Sequence, residues 1–151
     1  MLELARESDW EDVCRLAVQI HDLHVSWRPD IYCHSEEPYA KEKFLEDIQN
    51  RFVYVAKLQN TVVGYVTLST RTKSGPGVVE KKEMLVNSIC VDENLRNHGI
   101  GKEMMADIHA LARVFGCSDI LLGVHPENDS AVVFYQKCGF KIRTINMQSD
   151  L

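Results

Sequence analysis

Apolar positions recur along the chain in two rhythms, one of three and four residues and one of two, and each marks an element. Leu2 to Ala5 is a short strand. Ser8-Asp9-Trp10-Glu11 has the form of a capping box and leads into a helix whose apolar face is Trp10, Val13, Leu16, Ala17 and Ile20. After an irregular stretch from Trp27 to Pro38, a second helix is predicted from Tyr39 to Ile48. Phe52 to Leu58 and Thr61 to Thr70 are β-rich runs joined by the polar pair Gln59-Asn60, which reads as a hairpin, and Ser74-Gly75-Pro76-Gly77 marks a loop. Met84 to Val91 is a strand that is apolar except for Asn87 and Ser88. Ile100, Met104, Ile108, Leu111 and Phe115 then form a helical stripe closed by Gly116. A strand at Ile120 to Val124, a helix bearing Ala131, Phe134 and Tyr135 with Gly139 as its cap, and a closing strand from Phe140 to Met147 complete the series. Strands interleaved with helices, with hairpins toward the N-terminus, predict a mixed α/β sheet.

Composition narrows the class. A chain of 151 residues, 45% of them hydrophobic, can bury one core, and no repeat or Pro/Gly/Ser-rich linker divides it, so residues 1–151 are expected to form a single domain. No apolar run approaches membrane-spanning length, and Met1-Leu2-Glu3-Leu4 lacks the basic-then-apolar order of a signal peptide, so a cytoplasmic protein that does not engage membranes is expected. The five cysteines, Cys14, Cys33, Cys90, Cys117 and Cys138, show neither zinc-knuckle nor Cys-x-x-Cys spacing; they are expected to be reduced, mostly core, and no metal is expected. A net charge of -5 without a basic cluster argues against nucleic acid and suits a cationic amine.

The chemistry concentrates at Val91 to Lys102, Val-Asp-Glu-Asn-Leu-Arg-Asn-His-Gly-Ile-Gly-Lys, where a buried strand turns through glycines into a helix. Unpaired N–H groups at a helix start, reinforced by the helix dipole, bind phosphate oxygens where glycines let the main chain approach. The P-loop pattern fails because one residue, Ile100, separates Gly99 from Gly101 and Glu103 follows Lys102. The dinucleotide fingerprint fails because its third glycine would be Met104. What remains is Arg96-x-x-Gly99-x-Gly101, which resembles the pyrophosphate loop of the GNAT N-acetyltransferase superfamily. The segment Ile120 to Phe140, with Asn128, Ala131, Phe134, Tyr135 and Cys138-Gly139-Phe140, resembles the second half of that family's coenzyme site, in the same order and spacing.

The resemblance implies a single-domain GNAT-like α/β fold, with a central mixed, mostly antiparallel sheet flanked by about four helices. It implies direct transfer of the acetyl group of acetyl-CoA, as cosubstrate, to a primary amine. Ile89, Cys90 and Val91 would pair with the pantetheine arm, the amides of Asn97, His98, Gly99, Ile100, Gly101 and Lys102 would take the pyrophosphate, and Asn128 would contact the pantetheine. Tyr135 occupies the position of the tyrosine that protonates the leaving thiolate. The general base is open: Asn87 and Gly123 stand where some members carry an acidic residue, which leaves Glu83, on the strand face of Asn87, and His125, after the flanking strand. Acceptor contacts are expected from Trp27 to Tyr39, with Asp30, Tyr32, Glu36 and Glu37, and from the Arg71 to Lys82 loop. The expected acceptor is a small-molecule amine; the alternatives are a protein or peptide N-acetyltransferase and a non-catalytic acyl-CoA-binding module. A homodimer is compatible with the family pattern.

Overall fold

Five strands form one sheet in the order β1-β2-β3-β4-β5, and the computed structural model describes residues 1–151. β1 (Leu2–Leu4), β2 (Val53–Leu58), β3 (Thr61–Gly75) and β4 (Val78–Val91) pair antiparallel, while β5 (Asp119–Leu122) lies parallel to β4. The helices are α1 (Trp10–Trp27), α2 (Lys41–Gln49), α3 (Ile100–Val114) and α4 (Asp129–Lys137). The expected mixed sheet with four helices is therefore the architecture found.

Alternation along the strands divides the core into two layers. Val53, Val55, Val62, Tyr65 and Cys90 meet Val13, Leu16 and Ala17 of α1 and Phe44 of α2. Tyr54, Ala56, Val66, Met84 and Val86 meet Ile100, Met104, Met105 and Ile108 of α3. Each fully buried side chain of this size contributes about 1.5–3 kcal/mol of apolar transfer, which is why the amphipathic stripes of α1 and α3 were legible in sequence. α3 lies close to the sheet because Gly64 carries no side chain: a Cβ there would stand 2.8 Å from Met104 Sδ and 3.0 Å from the Cys90 carbonyl oxygen.

Four expectations need correction. The capping box at Ser8 does not form; Asp9 closes a single 3-10 turn, accepts the Arg6 N–H at 2.8 Å and pairs with Lys57 at 2.9 Å. The loop near Ser74 is only the tight turn of a long hairpin, for β3 runs to Gly75 and β4 starts at Val78. Residues 78–82 hid this strand because Glu80, Lys81 and Lys82 belong to a solvated ribbon without a buried face. Phe140 to Met147 is not a strand. Residues 141–147 make no backbone hydrogen bond, and the segment is held by side chains, Arg143 to Glu83 and Arg28 to Gln148, so the sheet ends at β5. Of the five free cysteines only Cys90 is buried. No helix is long and apolar enough to cross a membrane.

Glu83, where β4 begins to pair with β5, is 1% exposed and is gripped on both oxygens, by Arg71 Nε at 2.8 Å and Arg143 Nη1 at 3.0 Å. These partners hold its carboxyl below the ordinary glutamate value of 4.5. A depressed carboxyl stabilises the fold above that value and loses its contribution as pH falls through the folded one. Glu83→Gln is therefore expected to melt below the wild type at pH 7, with the gap closing toward pH 3 in thermal scans. Gly64→Ala is expected to lose about 1–3 kcal/mol in urea unfolding, the range for overpacking a filled core, whereas Gly123→Ala, where a Cβ meets nothing within 4 Å, stays near neutral.

Candidate active site

Asp92 ends β4 and starts the glycine loop. Its N–H donates to the Val63 carbonyl at 2.8 Å, its carboxylate pairs with Arg15 of α1, and it accepts the Asn94 N–H at 3.1 Å. The chain then makes a 3-10 turn over Glu93–Leu95 and enters α3 through two left-handed residues, Asn97 (φ 66°) and Gly99 (φ 86°). The backbone N–H groups from Arg96 to Lys102 make no hydrogen bond within the chain, so a row of orphan donors converges at the start of α3. Gly101 stands where a Cβ would be 3.4 Å from the Phe134 ring, so α4 closes against this loop. Arg96 folds back to donate from Nε to the Val91 carbonyl at 3.3 Å, and His98 Nδ1 lies 2.8 Å from the Arg96 carbonyl oxygen. This is an anion cradle: free amides, a positive helix end and a guanidinium at its rim.

β4 has an open flank beside the cradle. β5 pairs with it only over Glu83 to Val86, so from Asn87 onward one edge of β4 faces no strand. Because Asp92 donates to β3, alternation turns the N–H and C=O of Val91 and Ile89 to the open side and those of Cys90 toward β3. Of the three residues expected to offer backbone groups there, Ile89 and Val91 do, and Cys90 does not. The opening begins at a bulge: Thr67 pairs with Ser88 and Leu68 with Val86, leaving Asn87 as the extra residue. The bulge directs Asn87 and Ser88, neighbours in sequence, into the same cavity.

That cavity, of about 570 Å³, lies between α1, α2 and the sheet. α1 contributes Ala17, Ile20, His21 and His24, and α2 contributes Lys43, Glu46 and Asp47, with Asn50 just past its end. Its floor holds two hydrogen-bonded polar pairs: the Tyr65 and Ser88 hydroxyls lie 2.8 Å apart, and Asn87 Nδ2 donates to Ser69 Oγ at 3.0 Å. Tyr39 stacks on Tyr65 with centroids 6.4 Å apart and donates to Asp47 at 2.7 Å, while Lys43 meets Asp47 at 2.8 Å. Burial pushes the Tyr39 and Tyr65 phenols above their ordinary value, so both are protonated.

Across the opening, α4 brings Tyr135 against Phe134 and Phe140, with the thiols of Cys138 and Cys90 nearby. Burial pushes its phenol up to about 12 and the Cys90 thiol up to about 11, so both hold their protons at neutral pH. Asn128 Oδ1 accepts the Ala131 N–H at 3.3 Å and so caps α4. His125, in the loop after β5, stacks on Trp27 at 5.2 Å and accepts the Glu127 N–H at Nδ1.

The structure places several candidates apart from this arrangement. Glu83 is about 13 Å from Asn87 along β4, at about 3.3 Å per residue, and its double ion pair leaves no free oxygen to take up a proton. The Arg71 to Lys82 stretch is the arm of the exposed hairpin and does not line the cavity; α2 does. From Trp27 to Tyr39 only Pro38 and Tyr39 line it, whereas Asp30 pairs with Arg28, Glu37 accepts the Lys41 N–H and the Glu36 carbonyl lies 3.5 Å from Cys14 Sγ. Sequence reasoning missed Tyr65, Ser88, Asp47 and the α1 residues His21 and His24. The last two were findable, since Ala17, Ile20, His21 and His24 share one helix face by spacing.

Residues 17–140 match the family model described as the Acetyltransferase (GNAT) family. An uncharacterized N-acetyltransferase, YvbK, of Bacillus subtilis is 37% identical over 108 residues, which cover 71% of this chain and 64% of that protein. The BH1408 protein of Bacillus halodurans, solved as a tetramutant, superposes with a TM-score of 0.95 at 25% identity, over all of this chain and 99% of that one. An aminoglycoside N-acetyltransferase solved with CoA superposes at 0.70 over the full length of both chains, and its 18% identity speaks for the fold alone. With four-fifths of its length under one family model and the fold matched end to end, this chain belongs to the GNAT acetyltransferase family.

Proposed function

We propose that the protein transfers the acetyl group of acetyl-CoA to the primary amine of a small-molecule acceptor. The observation that carries this reading is the meeting of two spaces at one bulge. The open edge of β4 and the amide cradle lie to one side of Asn87, and the 570 Å³ cavity lies to the other. A cavity of that volume is within the range of small-molecule sites.

The free amides from Arg96 to Lys102 are a set of donors suited to a pyrophosphate, and the outward groups of Ile89 and Val91 to an amide-bearing arm. Asn128, Ala131 and Phe134 line the other side of that slot in this reading. Acetyl-CoA, when bound, supplies the acyl group and carries away an electron pair on sulfur. The N–H groups on the open edge of β4 polarise a carbonyl presented to them. Tyr135 holds a proton at its phenol oxygen throughout the physiological range and delivers it to the leaving sulfur. On the acceptor side, Glu46 and Asp47 against Lys43 leave the wall one negative charge in excess, which favours a cationic amine, and the hydroxyls of Tyr65, Ser69 and Ser88 offer hydrogen bonds to polar substituents.

CoA release, followed chromatographically across polyamines, aminoglycosides, amino-sugar phosphates, amino acids and N-terminal peptides, tests the reading. Release is expected with a small amine and to fall about 100-fold or more in Tyr135→Phe, the lower end for loss of a general acid. Release only with peptides would move the acceptor assignment to protein N-termini, and unchanged activity in the variant would remove Tyr135 from its role. Gly99→Ala, which forces a Cβ into φ 86°, is expected to lose about 1–2 kcal/mol of stability and to weaken CoA binding measured by titration calorimetry.

A further inference from the structure

Transfer to an ammonium group needs a proton acceptor on the cavity side, and most of the groups nearest to hand are already committed. Both oxygens of Glu83 bind arginines at the far end of β4's paired segment. His125 accepts the Glu127 N–H at Nδ1, 3.2 Å away, which places its ring proton on Nε2 and leaves no free lone pair. Asp47 is held by Tyr39 and Lys43, and Glu46, at the exposed rim of the cavity, pairs with Lys43 at 3.6 Å. His21 donates from Nε2 to the Cys33 carbonyl at 2.7 Å, which fixes its ring and leaves the Nδ1 lone pair, so it is the competitor that the His21→Gln variant separates.

His24 is different. It lines the cavity one turn beyond Ile20 and His21, it is half-buried, and neither of its ring nitrogens is hydrogen-bonded within the chain. Trp27 and Tyr32 wall its ring at centroid distances of 5.8 and 5.6 Å. The same Trp27 ring stacks on His125, from the loop after β5, at 5.2 Å, so His24 stands on the side of the cavity toward that loop.

We propose that His24 is the catalytic base that takes the proton from the acceptor's ammonium group. The inference rests on the acetyl-transfer reading above. One ammonium proton passes to an imidazole nitrogen of His24 and on to solvent, freeing the amine lone pair to form the N–C bond as the C–S bond breaks. The second N–H proton lost on amide formation balances the one that Tyr135 gives to sulfur. Burial, with His21 on its own helix and His125 opposite, holds His24 below the ordinary histidine value of 6.5, so its free base dominates at pH 7. The other ionisable groups around it are Tyr32 in the covering loop and, across the cavity, Lys43, Glu46 and Asp47 of α2.

Two measurements test this. Nitrogen-15 NMR titration of the six histidines, with His24→Gln assigning the resonance, is expected to give His24 a midpoint below 6.5; a ring that is still largely protonated at pH 7 overturns the proposal without reference to activity. Kinetically, with an amine that the wild type acetylates, His24→Gln is expected to lower kcat/KM about 100-fold or more at pH 7. The loss should shrink toward pH 10, where the acceptor arrives already deprotonated, while CoA affinity by calorimetry is unchanged. His24→Asn guards against an effect of the glutamine itself, and His109→Gln, on the far side of α3, should leave the profile alone. A wild-type rate and pH profile in His24→Gln, or transfer of the acid limb to His21→Gln, overturns His24 as base and leaves the acetyl-transfer reading standing. Absence of CoA release with every amine, by contrast, overturns both.

Discussion

One extra residue in β4 organises this molecule. Where Leu68 pairs with Val86 and Thr67 with Ser88, Asn87 has no partner, and three consequences follow. Side-chain parity changes, so Met84 and Val86 face α3 before the bulge and Ile89 and Val91 face it afterwards. Two consecutive polar residues, Asn87 and Ser88, point into one cavity. Pairing with β5 ends at Val86, which exposes the outward backbone groups of Ile89 and Val91 where an unbroken ladder would have used them. A bulge of this kind is a small perturbation with a large lever, because strand periodicity carries a shift of one residue along everything that follows it.

The two ends of β4 divide the electrostatic work. At the near end Glu83 sits between Arg71 and Arg143, a closed set that ties the hairpin arm, the sheet and the segment after α4 together. At the far end Asp92 engages Arg15 and Asn94, which fixes the start of the loop, and then the chain leaves its amides free from Arg96 to Lys102. Satisfied charges hold the frame, and unsatisfied donors face the opening. Tyr135 and Cys90, both protonated by burial, keep the region between them free of negative charge.

Much of the frame was legible in the residues. α1 and α3 announced themselves because a buried helix face must repeat at three and four residues, and the β2–β3 hairpin because its two strands are largely buried and flank a polar two-residue turn. The cradle was legible too, since a strand, two glycines one residue apart and an arginine are local features. The outer half of the β3–β4 hairpin was not, because a solvated ribbon carries no burial pattern, and neither was the fate of residues 140–147, whose alternation suggested a strand that their side-chain tethers do not allow.

The sequence by itself determined which segments could be helix or strand, where a helix would start with its amides free, and that the chain resembles one family, because propensity, period and a six-residue spacing are properties of neighbours in the chain. Tertiary structure decided which polar groups share a space. Glu83 and Asn87 lie on one strand face by counting, yet the first is locked between arginines and the second opens a cavity. His24 and His125 are about a hundred positions apart in sequence, yet both pack against the Trp27 ring. Such pairings depend on long-range packing and on a single-residue shift of register, and neither leaves a local mark in the sequence.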